Sequence, residues 1–413
     1  MLGLKCTRTV LAVAFAFATG SAAAEQLEPE IHIGATLPLT GAEAASGARV
    51  RDGYELARDQ ANEKGGVLVG ARRLNVRLDI VDDGSDPRKA VKLLEHLVEK
   101  NSVQLLLGSF STALVEPQSA AAERLRVPYV NAAGSAAGLY KRGYRYFFGL
   151  LAPTEQLTDT LVRWIGEEQK AGKLPSPVSI ALAVEDTPHG KDFRAALVGP
   201  TGKNSARRAL FQVTLDETYP LNTTNFKSLL TRIKAVKADV LIVDAHLPQY
   251  IAMHRQYVAM GLCHKVVSYG ARGPEKSAIA ALPKGTTDGL VSAVWWNAHL
   301  GSKGVTRDFL EAFTARYHRT PDWYEAMAYE AARALFAAIE AAGSTDREKV
   351  REALAALRLD SIVPGGSLTF PAAYGQQAHY PYIVQQNHPD GTTPIVYPKI
   401  AATAEGIINL ACP

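Results

Sequence analysis

The chain has 413 residues, 21% of them charged, and a formal net charge of +4. That near-neutral balance argues against a nucleic acid or an anionic membrane surface as partner. The length exceeds what one hydrophobic core ordinarily serves and predicts two or three domains.

Residues 1–24 read as a secretory signal. Lys5 and Arg8 precede the apolar run "LAVAFAFA", and Ala22 and Ala24 supply a small-residue cleavage site. The run is shorter than the ~20 residues a membrane span needs, and no later stretch reaches that length. The mature chain, from Glu25, is therefore expected to be soluble, periplasmic and without a membrane anchor. Cys6 lies ahead of the apolar run, so it is not a lipid-attachment site. Cys263 and Cys412 remain after cleavage. An oxidising compartment lets them pair, and two buried free thiols are the alternative left open. No Cys or His spacing suits a metal, and no cofactor is expected.

The mature chain opens with a predicted strand, "EIHIGATLPLTG", and then a helix closed by Gly65 and Gly66. "RLNVRLDIVDD" alternates as a strand does. Asp86 and Pro87 are a good N-cap and first helical residue for "AVKLLEHLVEK", whose leucines share one face. "VQLLLGSFS" is a continuous apolar strand, "EPQSAAAERLR" a helix and "VPYVNAAGS" a short strand. This βα alternation, with near-continuous apolar strands, belongs to a parallel sheet covered on both faces. It restarts after Pro153: a helix at "TEQLTDTLVRWIGEEQ", the strands "PVSIALAVED", "RALFQVTLDE", "ADVLIVDAH" and "KVVSYGARG", and helices between them. Then come the strand-like "DGLVSAVWWN", two long helices at 303–318 and 322–342, and a hairpin-like end rich in Pro, Gly and Tyr. Two sheets in series form a cleft, and ligands of open parallel sheets sit beyond the carboxyl ends of the strands.

"IGATLPLTGAEAASGARVRDGYELARDQANEKGGV", "DETYPLNTTNFKSLLTRIKAVKADVLIV" and "TPDWYEAMAYEAARAL" together resemble type I periplasmic binding proteins of the branched-chain amino acid (Leu/Ile/Val-binding-like) family, the substrate receptors of ABC importers. The resemblance covers essentially the whole mature chain. It implies two Rossmann-like, doubly wound α/β lobes joined by three crossovers, placed near Pro153, near 284 and near 362. Lobe 1 is then 25–153 plus 285–361, and lobe 2 is 154–284 plus 362–413. Closure about the hinge buries the ligand. A monomer, a small-molecule ligand and a membrane permease partner are implied, and no enzyme. None of the usual nucleophile-elbow, zincin, P-loop or dinucleotide motifs is present.

Carried over by position, the resemblance implies site residues. Ser111 and Thr112 fall where the family holds a ligand carboxylate with hydroxyls and a helix N-terminus. Ala133 and Ser135 match its small and hydroxyl positions. Ser46 stands where several amino-acid binders carry an aromatic, which leaves room for a larger ligand. His189 replaces a frequent Tyr, and His246 follows a strand end. Trp295, Trp296 and Tyr324 offer aromatic walls. Arg272, in "YGARGPEKS", is the largest departure: amino-acid members place an acid near this strand end. Alone there, an arginine would repel a ligand ammonium at a cost of several kcal/mol and pair with a carboxylate instead. The bland alternative is an exposed arginine between glycines. The reading favoured is a small organic acid, first an aromatic carboxylate, with no counter-ion for a zwitterion's ammonium. The others are a branched-chain or other amino acid, served by Glu185, Asp186 or Asp244, and an amide or urea sensor.

Overall fold

The computed structural model describes residue 3 and residues 30–101, 103–199, 210–301 and 304–409. The signal segment, its cleavage point at Ala24 and Cys412 lie outside these; Cys263 is disulfide-bonded.

The first unit is built from β1 (Ile31–Leu37), α1 (Ala44–Glu63), the small hairpin β2 (Val67–Val69) and β3 (Arg72–Leu74), β4 (Val76–Asp82), α2 (Pro87–Lys100), β5 (Leu105–Leu107), α3 (Thr112–Leu125), β6 (Tyr129–Asn131), α4 (Ala137–Tyr140) and β7 (Phe147–Gly149). Asp86 caps α2 by accepting from the Arg88 and Lys89 amides, as its position before Pro87 predicts. Among the described residues, five strands form a parallel sheet in the order β4-β1-β5-β6-β7. Its central strands are apolar on both faces, because helices cover both sides.

The second unit repeats the plan. It comprises α5 (Thr154–Lys170), β8 (Val178–Glu185), α6 (Pro188–Val198), β9 (Phe211–Tyr219), α7 (Lys227–Val236), β10 (Val240–Asp244), α8 (Leu247–Ala259), β11 (Val266–Ser268), α9 (Lys276–Ala281) and β12 (Val291–Val294). Then α10 (Gly304–Tyr317), α11 (Trp323–Ala342), α12 (Arg347–Ala355) and the short pair β13 (Leu359–Asp360) and β14 (Ser367–Leu368) follow, before β15 (Ile383–Gln386) and β16 (Ile395–Tyr397). The second sheet runs β16-β15-β12-β11-β10-β8-β9, with β15 and β16 antiparallel to their neighbours.

The helices after β12 return to the first unit. Gly53 of α1 meets α11 so closely that an added Cβ would lie 2.3 Å from the Glu325 carbonyl oxygen. The first crossover falls where expected, and the other two do not. The first falls at 150–154, with α5 already packed on α6 and β12. The second comes after Val294 rather than near 284, because β12 pairs with β11 at Ser268 and with β15. The third lies between Gln377, which still bridges Gly149 of β7, and Ile383. The sequence around 284–290 carries glycines and a proline, a loop signal that marks the entry to β12, not the exit from the lobe.

Candidate ligand-binding site

Each sheet has one place where successive strands are added on opposite sides of the first: between β1 and β5 in the first, between β8 and β10 in the second. A crevice opens beyond the carboxyl ends of the strands at such a point. The two crevices face each other and enclose a cavity of about 50 Å³. At ~10–15 Å³ per water position, that is room for a few waters or one compact ligand.

The first lobe supplies the loops after β5 and β6. An isolated bridge between Phe110 and Ala133 sets them side by side. The Asn131 side chain pins the second loop: its Oδ1 accepts from the Ala133 amide (3.2 Å) and its Nδ2 donates to the Gly134 carbonyl (3.0 Å). Ser111 sits ahead of α3 at φ 70°, a conformation L-residues rarely hold, and its hydroxyl makes no capping hydrogen bond. Ser111, Thr112 and Ala113, at the positive end of the α3 dipole, line the cavity. The Ser135 hydroxyl lies 2.9 Å from that of Thr154. Trp295 and Trp323 close this side with ring centroids 4.7 Å apart. The Trp295 indole donates to the Ala152 carbonyl, whereas the buried Trp323 Nε1 has no hydrogen-bond partner among the described residues.

The second lobe contributes Thr187, Pro188 and His189 at the start of α6, Asp244, Ala245 and His246 before α8, and Ala271 with Arg272 after β11. The His189 imidazole meets Asp244 at 3.0 Å. Burial would raise the Asp244 carboxyl, but His189, His246 and Arg272 outweigh it and hold the group below the usual carboxylate range. His246 bonds the Glu185 carboxylate through Nδ1 and reaches across the cleft to Glu43 at 3.7 Å. Burial alone would lower this imidazole; the two carboxylates raise it above its ordinary 6.5. The Arg272 side chain is 11% exposed and lies 5.5 Å from the Phe110 and Tyr324 rings and 5.9 Å from Trp323, all in the opposite lobe. The exposed-arginine alternative is therefore excluded.

Of the positions singled out in the sequence, Ser111, Thr112, Ala133, Ser135, His189, His246, Arg272 and Trp295 are brought together around this cavity. Three are not among its lining residues. Ser46 is buried within α1, Trp296 packs edge-on against Phe309, and Tyr324 stands behind Trp323, stacked on it at 3.9 Å. The aromatic pair at the start of α11 thus turns Trp323, not Tyr324, to the cavity. Adjacent residues of a helix point ~100° apart, and the sequence does not fix which one faces in. Phe110 and Leu151 went unremarked because an apolar residue at a strand end reads as core. The expectation of a cleft without an anion is corrected by Asp244, which lines it. Glu185 is taken up by His246, and Asp186 pairs with Lys191 at the surface.

A periplasmic binding protein family model matches residues 30–392. The chain belongs to the periplasmic binding protein family. This periplasmic binding protein is 25% identical over 417 aligned residues to a Leu/Ile/Val-binding protein homolog of Brucella suis, covering 97% of this chain and 99% of that one. Among solved structures, it is similar to the branched-chain amino acid transporter substrate-binding protein LivJ of Streptococcus pneumoniae in complex with isoleucine, at a TM-score of 0.77 and 18% identity over 92% of this chain and 100% of that one. It is also similar to an ABC-transporter solute-binding protein of R. palustris in complex with benzoate, at a TM-score of 0.75 and 20% identity over 92% of this chain and 99% of that one. At such identities the likeness establishes the two-lobed type I fold of this periplasmic binding protein.

Proposed function

We propose that this periplasmic binding protein is the extracytoplasmic receptor of an ABC importer and closes on a small aromatic carboxylate. One observation carries the ligand class: the Arg272 guanidinium borders the cavity from one lobe, and the α3 N-terminus with Ser111 and Thr112 borders it from the other. A carboxylate between them gains charge-assisted hydrogen bonds on both sides. The starts of α6 and α8 add two more positive dipole ends. Phe110, Trp295 and Trp323 offer flat faces to a ring, and the unpartnered Trp323 indole N–H offers a donor to a ring substituent. The small cavity favours an acid whose carboxylate is attached directly to the ring over one with a longer side chain. The fold neighbours hold isoleucine in one case and benzoate in another, so the ligand class rests on the residues of this chain.

Asp244 favours a second reading. Its carboxylate could receive the ammonium of an amino acid while α3 holds the carboxylate. His189 already occupies it at 3.0 Å, and Arg272 stands beside it, so its charge is largely compensated. Titration calorimetry with 4-hydroxybenzoate and with leucine separates the two. Heat from 4-hydroxybenzoate is the expected result, and binding of leucine alone overturns the acid reading.

A further inference from the structure

The carboxyl of Glu275 takes no part in the cavity lining, yet it lies between the one ligand-facing guanidinium described above and the opposite lobe. The turn after β11 is held by the Arg272 amide donating to the Tyr269 carbonyl and the Glu275 amide donating to the Arg272 carbonyl, which folds Glu275 back under Arg272. Its Oε1 receives Arg272 Nη1 at 3.0 Å and the Tyr324 hydroxyl, from α11 of the first lobe, at 2.7 Å. Its Oε2 is buried and has no hydrogen-bond partner among the described residues. We propose that Glu275 is the positioning residue that sets the charge preference of the cleft, tying the Arg272 guanidinium to the cavity wall, coupling it to Tyr324 across the cleft, and governing by its own charge how strongly the guanidinium attracts an anion. This deepens the aromatic-carboxylate reading and rests on it.

The orphaned Oε2 fits a carboxyl that carries a proton. An ionised carboxylate would bury that oxygen as an unsatisfied charge; a proton there leaves a buried hydroxyl without an acceptor, which costs less than the charge. Burial pushes the Glu275 carboxyl up to about 8; Arg272 and Arg49 act against this, while Asp322 and Glu43 add to it. The other groups facing it are the Tyr324 hydroxyl on α11 and Tyr250 on α8. Below pH 8 the neutral acid leaves the Arg272 charge to the ligand. Above it, the carboxylate competes for the same guanidinium.

Calorimetry of the full chain with benzoate between pH 6.5 and 9.5 tests this. In the unaltered protein, affinity should fall as pH rises through 8, by up to tenfold per unit for one linked proton. Glu275→Gln, which keeps shape and hydrogen bonding but cannot ionise, should lose the part of the fall centred on pH 8 and keep only the shallower loss due to deprotonation of His246. Tyr324→Phe removes a donor that favours the charged form, so its fall should move to higher pH. Superimposable profiles for the unaltered protein and Glu275→Gln overturn the proposal.

A ligand-free readout keeps the two readings separate. The folded chain holds a proton that the unfolded chain releases near the ordinary 4.5, so stability should drop from about pH 4.5 to 8 and then level. The thermal midpoint of Glu275→Gln should therefore gain on that of the unaltered protein over this range. A constant gap sinks the inference even if benzoate binds. If benzoate fails to bind but the gap widens, only the ligand reading falls, and leucine replaces benzoate as probe with the opposite slope expected.

Discussion

Arg272 is the residue on which ligand affinity should turn most sharply. A hydrogen bond to a charged partner contributes about 1.5–3 kcal/mol net, and each 1.4 kcal/mol is a factor of ten. Arg272→Ala is therefore expected to weaken benzoate binding roughly 10- to 100-fold by calorimetry while leaving far-ultraviolet circular dichroism unchanged. His246 acts differently, since its imidazole joins the lobes through Glu43. Its affinity for a proton is raised in the folded, closed form. That contribution is complete below the ordinary value of 6.5 and fades as pH rises through the raised value. Thermal stability of the ligand-free protein should accordingly decline from about pH 6.5 upward, more steeply than Glu275 alone accounts for, and His246→Gln should remove that extra part of the decline. A slope unchanged by the substitution assigns none of it to His246.

At the scale of elements, the close crossing of α1 and α11 is the most exacting contact. The sequence of α1 reads as an ordinary amphipathic helix, and nothing in it marks Gly53 as the point where a neighbouring backbone approaches. Gly53→Val is expected to destabilise the first lobe by about 1–3 kcal/mol through overpacking. Near 2–4 °C per kcal/mol, calorimetric scanning should resolve the shift. Helices and strands with strong periodicity were legible: the capped α2 and the apolar β5, β8 and β10 fall where the pattern puts them. Less legible was the start of α3, whose helical pattern is clear only over "EPQSAAAERLR". The helix instead begins at Thr112 with Pro117 inside it. Those four residues matter, since they carry the helix N-terminus to the cavity. Which site residues cluster was readable from strand ends. The role of Glu275 was not, because it depends on a turn that folds a side chain back beneath its neighbour.

At the scale of the molecule, the two lobes touch, among the described residues and away from the Ser135–Thr154 contact beside the first crossover, through few polar contacts. Besides His246 with Glu43 and Glu275 with Tyr324, the Ala137 amide of the first lobe donates to Asp192 Oδ2 of the second at 2.6 Å. Closure resting on so few bonds should be a balance that single substitutions tilt. Asp192→Ala is expected to raise the radius of gyration in small-angle scattering without ligand. It should also weaken apparent affinity several-fold, by the drop in the closed population. Saturating benzoate should restore the compact value. An unchanged radius would mean that the amide contact does not hold the lobes together.

The chain passes between its two halves at three separate points. Cutting any one of these strips by limited proteolysis leaves two intact tethers. A singly nicked molecule should then run as two fragments under denaturing conditions, yet migrate as one particle and still trap its guest in native ones.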